Sequence, residues 1–368
     1  MRRIAPDTLR SFASELVVAL GTPPELAEQV ADSLVRSDRS GHSSHGTIRL
    51  STTYRSMIES GEMDPAARPR VDEPAGVFTA VDGNHGFGQV AGRVAVDEAV
   101  DTALEHGTGI VGVRNGSHLG RMGEWAERAA ESGVFFAAFM NTGGLANFVA
   151  PPGSADRRLP PNTLSFGVPS FGVTPFPIVL DMAISQTAHG KITERAVTGD
   201  PLPEEWAIAA SGESLLDARA FEEGEGAMLP LGGLQVGHKG FGLGIVAELF
   251  AGCLGDGAVI GQDVEGTVNN SAVFVCIDPE RVASAEEHRT RVEAVVDHVR
   301  SAEYRDEIPT GETTFGDRAL LPGEREHRLR DRCETEGVPI PTETAELLAI
   351  IADEYDVGDV VPPSLGVR

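Results

Sequence analysis

Apolar residues recur with helical spacing at the start of the chain. Leu9, Phe12, Leu16 and Val17 share one helix face, with Asp7 placed to cap it and Gly21 to stop it. A second helix opens at Pro23-Pro24, carries Leu26, Val30 and Leu34 on one stripe, and runs out at Ser40-Gly41. A third is expected from about Ile48 to Ser60. From Val77 the period changes. Short alternating or apolar runs at 77–81, 109–113, 134–140, 163–168, 178–183 and 272–277 read as strands. Helical runs at 88–105 and 120–132 lie between the first of them. An acidic, glycine-rich stretch, 197–226, reads as a surface excursion. Helices follow from Lys239, over 285–301 and over 342–353. The apolar run from Phe241 to Leu254 is too short to span a membrane and carries Glu248, so it reads as a buried helix. Helices at both ends around an alternating centre predict an α/β protein. Residues 1–75 and 285–368 would form a helical domain, with an α/β domain, 76–284, inserted between them.

Charge changes the picture next. Fifty-six acidic residues against thirty basic ones give −26, which disfavours nucleic acid as a partner because phosphate needs basic patches. The bases are almost all arginine; Lys191 and Lys239 are the only lysines. An acidic, lysine-poor surface suits a halophilic protein working in high internal salt, the favoured reading over an ordinary acidic protein from a GC-rich genome. Each lysine sits beside glycine, in His189-Gly190-Lys191 and Gly237-His238-Lys239-Gly240, which mildly favours a role for both. Cys253, Cys276 and Cys333 are odd in number and far apart, the pattern of a reducing cytoplasm rather than a disulfide framework. Asp7 follows soon after Met1-Arg2-Arg3 and no apolar run succeeds it, so no signal peptide is expected.

Five segments carry candidate chemistry. Gly107-Thr108-Gly109-Ile110-Val111-Gly112 spells the dinucleotide fingerprint G-x-G-x-x-G, but it follows a helix and enters a strand. The fingerprint works only in the reverse setting, so this match is fortuitous. His42-Ser43-Ser44-His45-Gly46 is a polar loop between helices whose Ser-His pair suits either proton transfer or helix capping. Arg49, one turn later, suits bidentate capture of a carboxylate. Asn115 to Gly123 joins a strand end to a helix start, and there His118 is placed for acid–base work. Asp181 closes an apolar strand, either as a paired structural acid or as a group that orients a histidine. Gly237 to Gly242, ahead of an apolar helix, suits a phosphate or ribose.

Together, several segments resemble the malate/L-lactate dehydrogenase type 2 family in order and spacing. They are Ser44-His45-Gly46 with Arg49, Asn115 to Gly123, Val149-Ala150-Pro151, Val179 to Ala183, His238 to Gly242, and Leu321-Pro322-Gly323-Glu324. That family includes sulfolactate, ureidoglycolate and hydroxycarboxylate dehydrogenases, and reductases of cyclic imino acids. The run Gly120 to Glu127 is most similar to the hydroxycarboxylate dehydrogenase B branch. The resemblance implies an L-sulfolactate dehydrogenase-like, non-Rossmann mixed sheet and a homodimer. It also implies a nicotinamide cofactor between the domains, NAD with NADP as an option, and no metal. Carried over by position, the cofactor contacts are His45, Gly120, Arg121, Met122, Val179, Leu180, Asp181, Met182, Ala183, His238, Lys239, Asn270, Gly323, Glu324, Arg325 and Glu326. His118 matches one proposed proton donor and acceptor, while Ser44, His45 and Asp181 match a proposed charge relay. The two proposals disagree over which histidine moves the proton.

The implied reaction moves hydride between nicotinamide and C2 of a 2-hydroxy or 2-keto acid, with Arg49 on the carboxylate. A cyclic imine carboxylate is the alternative substrate on the same scaffold. Readings from other classes are a metal-dependent hydrolase using His42 and His45, and a nucleotide-binding protein without catalysis.

Overall fold

Both ends of the chain enter one core. The computed structural model describes residues 1–266, 269–305 and 320–365. Strand β1 (Arg2–Ile4) leads into helices α1 (Pro6–Ala19), α2 (Pro24–Arg39) and α3 (Arg55–Glu59). Leu9, Phe12, Leu16, Leu26, Val30 and Leu34 are buried as their spacing requires. They pack with Val338, Ile340, Leu348 and Ile351 from the far end of the sequence. Asp7 is not the cap. Ala5 holds that position, Pro6 opens the helix, and Asp7 lies in the first turn, where its charge favours the helix dipole.

The centre is one seven-stranded sheet. Its first strands are β2 (Arg70–Val71), β3 (Phe78–Asp82) and β4 (Thr108–Arg114), with α4 (Gly88–His106) between the last two. Helix α5 (Met122–Glu131) precedes β5 (Phe135–Asn141), β6 (Thr163–Val168) and β7 (Ile178–Ala183). Then come α6 (His189–Thr198), β8 (Ala207–Ile208), α7 (Ala218–Glu222), β9 (Ala227–Met228), α8 (Gly233–Val236) and α9 (His238–Gly255). Strand β10 (Ser271–Ile277), helix α10 (Ala285–Arg300), helix α11 (Glu324–Glu336), strand β11 (Val338–Ile340) and helix α12 (Thr342–Glu354) complete the chain. The strand order is β2-β3-β4-β10-β5-β6-β7. Only β3 and β4 run parallel; the other pairs in this sheet are antiparallel. A mixed sheet of this order is not a Rossmann fold. The G-x-G-x-x-G match straddles the α4–β4 junction, where Gly107 is the left-handed helix end (φ 93°). A side chain at Gly109 would strike the α4 backbone and one at Gly112 the α9 backbone, so these glycines serve helix–sheet packing.

Strand β1 pairs antiparallel with β11, Arg2 opposite Ile340 and Ile4 opposite Val338. Helix α10 lies apart from that terminal core. Its one buried residue, Val296, packs with Phe176 and Leu321.

Two expectations need correction. The stretch 197–226 is not a mere surface excursion, because Leu202, Ala207, Leu215, Ala218 and Phe221 are buried in a core shared with Ile192 and Met228. Its acidic and glycine content masked a few well-spaced apolar anchors. Helix α9 is not fully buried either. Leu243, Val246, Leu249, Phe250 and Leu254 are each about two-fifths or more exposed, and Leu231, Leu234 and Val236 extend the apolar face. Its buried side is made largely of small residues, Gly240, Gly244, Ala247, Ala251 and Gly252, which let it lie close to the sheet.

Candidate active site

His118 hangs from the loop between β4 and α5, and the loop is held open by unusual backbone. Asn115 (φ 50°) and Ser117 (φ 43°) are left-handed, an uncommon conformation outside glycine that must be maintained by its surroundings. Asn269 and Asn270 maintain it. Asn269 Oδ1 accepts from the Ser117 amide at 3.0 Å, Asn270 Oδ1 accepts from the Leu119 amide at 3.0 Å, and the Asn270 amide donates to Ser117 O at 2.6 Å. Asn270 also donates through Nδ2 to Asn141 O at 3.0 Å, so its side chain ties the histidine loop to the end of β5. Gly88 must be glycine, since a side chain there would collide with the backbone of His118.

Ser44 and His45 arrive from the opposite side, on a 3₁₀ turn after α2. Buried Asp38 fastens that turn by accepting from the Thr47 amide at 2.9 Å and the Thr47 hydroxyl at 2.8 Å. Burial pushes the Asp38 carboxyl up to about 7. Ser44 Oγ lies 3.1 Å from His45 Nδ1, and the His45 ring stacks on His118 with centroids 5.5 Å apart. The Tyr54 hydroxyl lies 2.8 Å from His118 Nδ1, and Gln89 Nε2 donates to that hydroxyl. Arg49 donates through Nε to Ser44 O at 2.6 Å and through Nη1 to Thr53 at 3.1 Å; neither bond uses Nη2. Burial is the largest influence on both rings. With the Arg49, His42 and Arg121 charges it lowers His45 to about 3, and with Arg49 and His45 it holds His118 well below the usual histidine range.

Beside this cluster lies a cavity of about 260 Å³ lined by His42, Arg121, Asp181, Gly323, Arg325 and Glu326, among others. His42 Nε2 meets Glu326 at 3.1 Å. Asp181 accepts from the Gly123 amide at 2.6 Å, and burial raises its carboxyl above the usual range against the pull of Arg121. Behind the cavity, Glu127 is almost wholly buried and receives three arginines: Arg121 at 2.8 Å, Arg330 at 2.8 Å and Arg36 at 3.0 Å. Desolvation opposes its charge, yet the three guanidinium groups win and lower it to about 2. Arg121 keeps a buried Nε without a hydrogen-bond partner among the described residues. Cationic Arg121 and Arg325, acceptor Glu326 and the start of α11 at Gly323 form a wall fit for a ligand carrying phosphates and hydroxyls.

The structure therefore brings Ser44, His45, Arg49 and His118 into one cluster. It brings Arg121, Val179, Leu180, Asp181, Gly323, Arg325 and Glu326 to the cavity, with buried Glu324 just behind, bonded to the Leu321 amide at 3.1 Å. Gly120 (φ 76°) lies on the loop joining the two, Met122 opens α5, and Met182 and Ala183 finish β7. Asp181 makes no hydrogen bond to His45 among the described residues. His42 turns to Glu326 while His45 turns to Ser44, so the two histidines do not converge as metal ligands would. His238 and Lys239 stand apart, exposed at the start of α9. Gly190 packs against Ser44, and His189 stacks on Phe148 at 4.2 Å. Tyr54, Gln89 and Asp38 escaped the sequence reading. A polar residue on the buried stripe of α2 was the available signal for Asp38; Tyr54 and Gln89 gave none.

Fold and site define a non-Rossmann α/β enzyme in which paired histidines and an arginine stand beside an anion-friendly cleft. The chain belongs to the malate/L-lactate dehydrogenase family, whose pattern matches residues 4–349, and is thus a hydroxy acid dehydrogenase in class. It is 35% identical over 327 residues to an L-lactate dehydrogenase of Cupriavidus necator, covering 88% of this chain and 90% of the relative. It superposes on malate dehydrogenase from Pyrococcus horikoshii with TM-score 0.83 and 31% identity, covering 96% of both chains. It also superposes on delta1-piperideine-2-carboxylate reductase from Pseudomonas syringae with TM-score 0.80 and 28% identity, covering 96% of this chain and all of the other. The family implies a nicotinamide cofactor.

Proposed function

We propose that this enzyme interconverts a 2-hydroxy acid and its 2-keto acid, with His118 exchanging the proton at the C2 oxygen. The observation that carries the reading is the placement of a buried histidine, held by Tyr54 and stacked on His45, beside an arginine whose Nη2 makes no hydrogen bond among the described residues. The bound nicotinamide would supply the hydride. As negative charge gathers on the C2 oxygen, His118 donates a proton; in the reverse direction it accepts one. Arg49 grips the carboxylate and fixes which face of C2 is presented. Ser44 and His45 organise the proton path, with Asp181 orienting the cofactor side. Arg121, Arg325 and His42 would hold the cofactor phosphates, with Val179 to Ala183, Gly120, Met122 and Gly323 to Glu326 around them. His238, Lys239 and Asn270 complete the set by family position. The Glu326 acceptor supports NAD over NADP, because an acid suits a ribose hydroxyl better than a phosphate.

The likeness to a cyclic imino acid reductase supports a second substrate class, an imine carboxylate gripped by the same arginine. The division into 1–75 plus 285–368 and 76–284 belongs to the same reading. So does a homodimer through the apolar face of α9, where Leu243, Val246, Leu249, Phe250 and Leu254 stand exposed together. Three unpaired cysteines support a cytoplasmic setting. No helix among the described residues is long and apolar enough to cross a membrane.

A panel of 2-keto acids and cyclic imines, each with NADH and NADPH, tests the substrate class. In that assay His118→Ala lowers kcat by roughly 10²-fold or more with folding and NADH binding intact. Near-normal turnover of His118→Ala, with loss in His45→Ala, would move the role to His45.

A further inference from the structure

We propose that Tyr54, aimed by Gln89, sets the tautomer of His118, so that a neutral ring presents Nε2–H to the substrate oxygen while Tyr54 donates to Nδ1. This rests on the reading that His118 moves the proton. The helix expected from Ile48 to Ser60 is interrupted by a π turn, Leu50–Tyr54, which carries the Tyr54 side chain inward. Such turns are rare and gather at functional sites. Tyr54 is 1% exposed and meets the edge of Phe87 with ring centroids 5.4 Å apart, so its hydroxyl has little freedom.

The polarity follows from counting protons. Gln89 donates an N–H into the Tyr54 oxygen, which leaves the Tyr54 proton free to point at His118 Nδ1, 2.8 Å away. Nδ1 then acts as acceptor, and the ring's single proton lies on Nε2. The charged and titratable neighbours favour a neutral ring. Arg49 and the stacked His45 both oppose a second positive charge on His118, and Glu124 is the acid that acts on Tyr54. Burial pushes the Tyr54 hydroxyl up to about 12, which keeps it protonated and able to donate.

A neutral histidine that surrendered its only proton would become an imidazolate, which is costly. The Tyr54 bond lessens that cost, because the charge comes to rest on a phenolate beside Arg49 and not on the ring. Hydride arrives at C2 and the carbonyl π pair moves onto oxygen. The Nε2–H bond breaks, its electron pair staying on the ring, and the new O–H bond forms. The Tyr54 proton crosses to Nδ1, leaving a phenolate that the Arg49 charge steadies. After the product departs, Nε2 takes a proton from water and Nδ1 returns its own to Tyr54. The sum is one hydride and one proton per turnover. Tyr54 is thus a positioning residue that acts through His118.

Nitrogen-15 NMR of histidine-labelled enzyme reads the tautomer directly. Wild type is expected to show His118 with a bare Nδ1 and a protonated Nε2 across about pH 5.5–8.5. The reductive kcat should be flat over that range, where an imidazolium donor would lose about tenfold per unit above its pKa. Tyr54→Phe should mix the tautomers and lower kcat about tenfold or more, with KM within about twofold. Gln89→Leu, which keeps the hydroxyl, should shift the ring partway toward the Nδ1–H form and cost several-fold in kcat. Difluorotyrosine at position 54, a more acidic phenol of similar shape, should shift the alkaline limb of the kcat profile downward; a purely structural hydroxyl would not. A protonated Nδ1 in wild type overturns the proposal. So does a Tyr54→Phe enzyme that matches wild type in rate and ring shifts while His118→Ala is inactive. If His118→Ala is itself active, the underlying reading has failed instead.

Discussion

The segment that begins at His118 ends in a second kind of site at Glu127, and the two are stabilised in opposite ways. At His118 the groups are neutral: a histidine pair, a serine, a tyrosine and an amide, joined by hydrogen bonds and pressed dry by burial. At Glu127 the groups are fully charged, one carboxylate against three arginines. Burial shifts His118 toward its uncharged form, whereas arginines override burial and keep Glu127 ionised. In the proposed reading a neutral His118 passes protons along its hydrogen bonds without itself becoming charged, whereas Glu127 holds its three arginines by staying charged. Gly120 and Arg121 link the two regimes at the start of α5, and Arg49 is the charge that enters the first of them.

Removing charge should break the second region far more than the first. Glu127→Ala strips Arg121, Arg330 and Arg36 of the carboxylate they share, leaves Arg121 buried with only the more distant Asp181 and Glu124 for charge, and should cost about 3–5 kcal/mol in unfolding free energy, measured by denaturant titration. His118→Ala should leave that value nearly unchanged at pH 7. Equal losses in the two variants would erase the distinction.

Arg49 belongs to the neutral region in place but brings a charge to it. Arg49→Met should cost about 2–4 kcal/mol in kcat/KM for a 2-keto acid, with cofactor Kd nearly unchanged. Arg49→Lys should recover little, because lysine lacks the planar fork. The neutral amide of the same acid serves as control. An equal loss for acid and amide would show that Arg49 is not the carboxylate anchor.

Acid should sharpen the contrast. His45, lowered to about 3 in the fold, binds its proton less well than the unfolded chain does between pH 3 and 6.5. Its share of stability is therefore complete above about 6.5 and is lost as pH falls. His118 is lowered too and acts in the same sense. Asp38, raised to about 7, runs the other way, since the folded state holds its proton better between about 4 and 7. Burial raises the Asp181 and Glu124 carboxyls as well, so buried acids and buried histidines oppose one another as pH falls. Each fully titrating group changes stability by about 1.4 kcal/mol per pH unit, so His118→Ala should lessen the loss of stability between pH 6.5 and 5 by about that slope relative to the parent. An unchanged slope in that variant would contradict the neutral-region picture.

Salt should have the gentlest effect. The −26 surface repels itself over about 10 Å in dilute buffer but over only about 3 Å in 1 M salt, while the buried Glu127 cluster is screened far less. Melting temperature should rise along a KCl series, in Glu127→Ala as in the parent. A flat or falling series would remove the halophilic reading.

Much of this was legible in the sequence because it rests on local periodicity. The stripes of α1 and α2 and the seating of His118 on a strand-to-helix loop needed only spacing and glycine placement. The family resemblance gathered Ser44, Arg49, His118 and Asp181 before any geometry was known. What escaped depends on contacts far apart in the chain. Gln89 reaches Tyr54 only because α4 crosses the π turn, and Glu127 reads as an ordinary surface acid until α2 and α11 deliver Arg36 and Arg330. The apolar anchors of 197–226 were hidden by their neighbours' composition. The bare face of α9 could not be told from a buried one, since a helix apolar all round carries no directional signal.

The pairing of β1 with β11 bears on how the molecule is made. The Met1 amino group reaches Thr342 at 3.2 Å, and Ile4 packs with Leu348 and Ile351. A ribosome therefore releases α1 and α2 long before it releases the strand and helix that cover them. The central sheet can close during synthesis, but the first two helices must wait with part of their apolar stripes uncovered until β11 and α12 emerge. A chain cut short before Val338 would leave bare the part of those stripes that Val338, Ile340, Leu348 and Ile351 cover, marking it for chaperones and proteases although its sheet was intact. A circular permutant that joined the two ends and opened a surface loop elsewhere would abolish the wait, and should refold with less aggregation than the natural order.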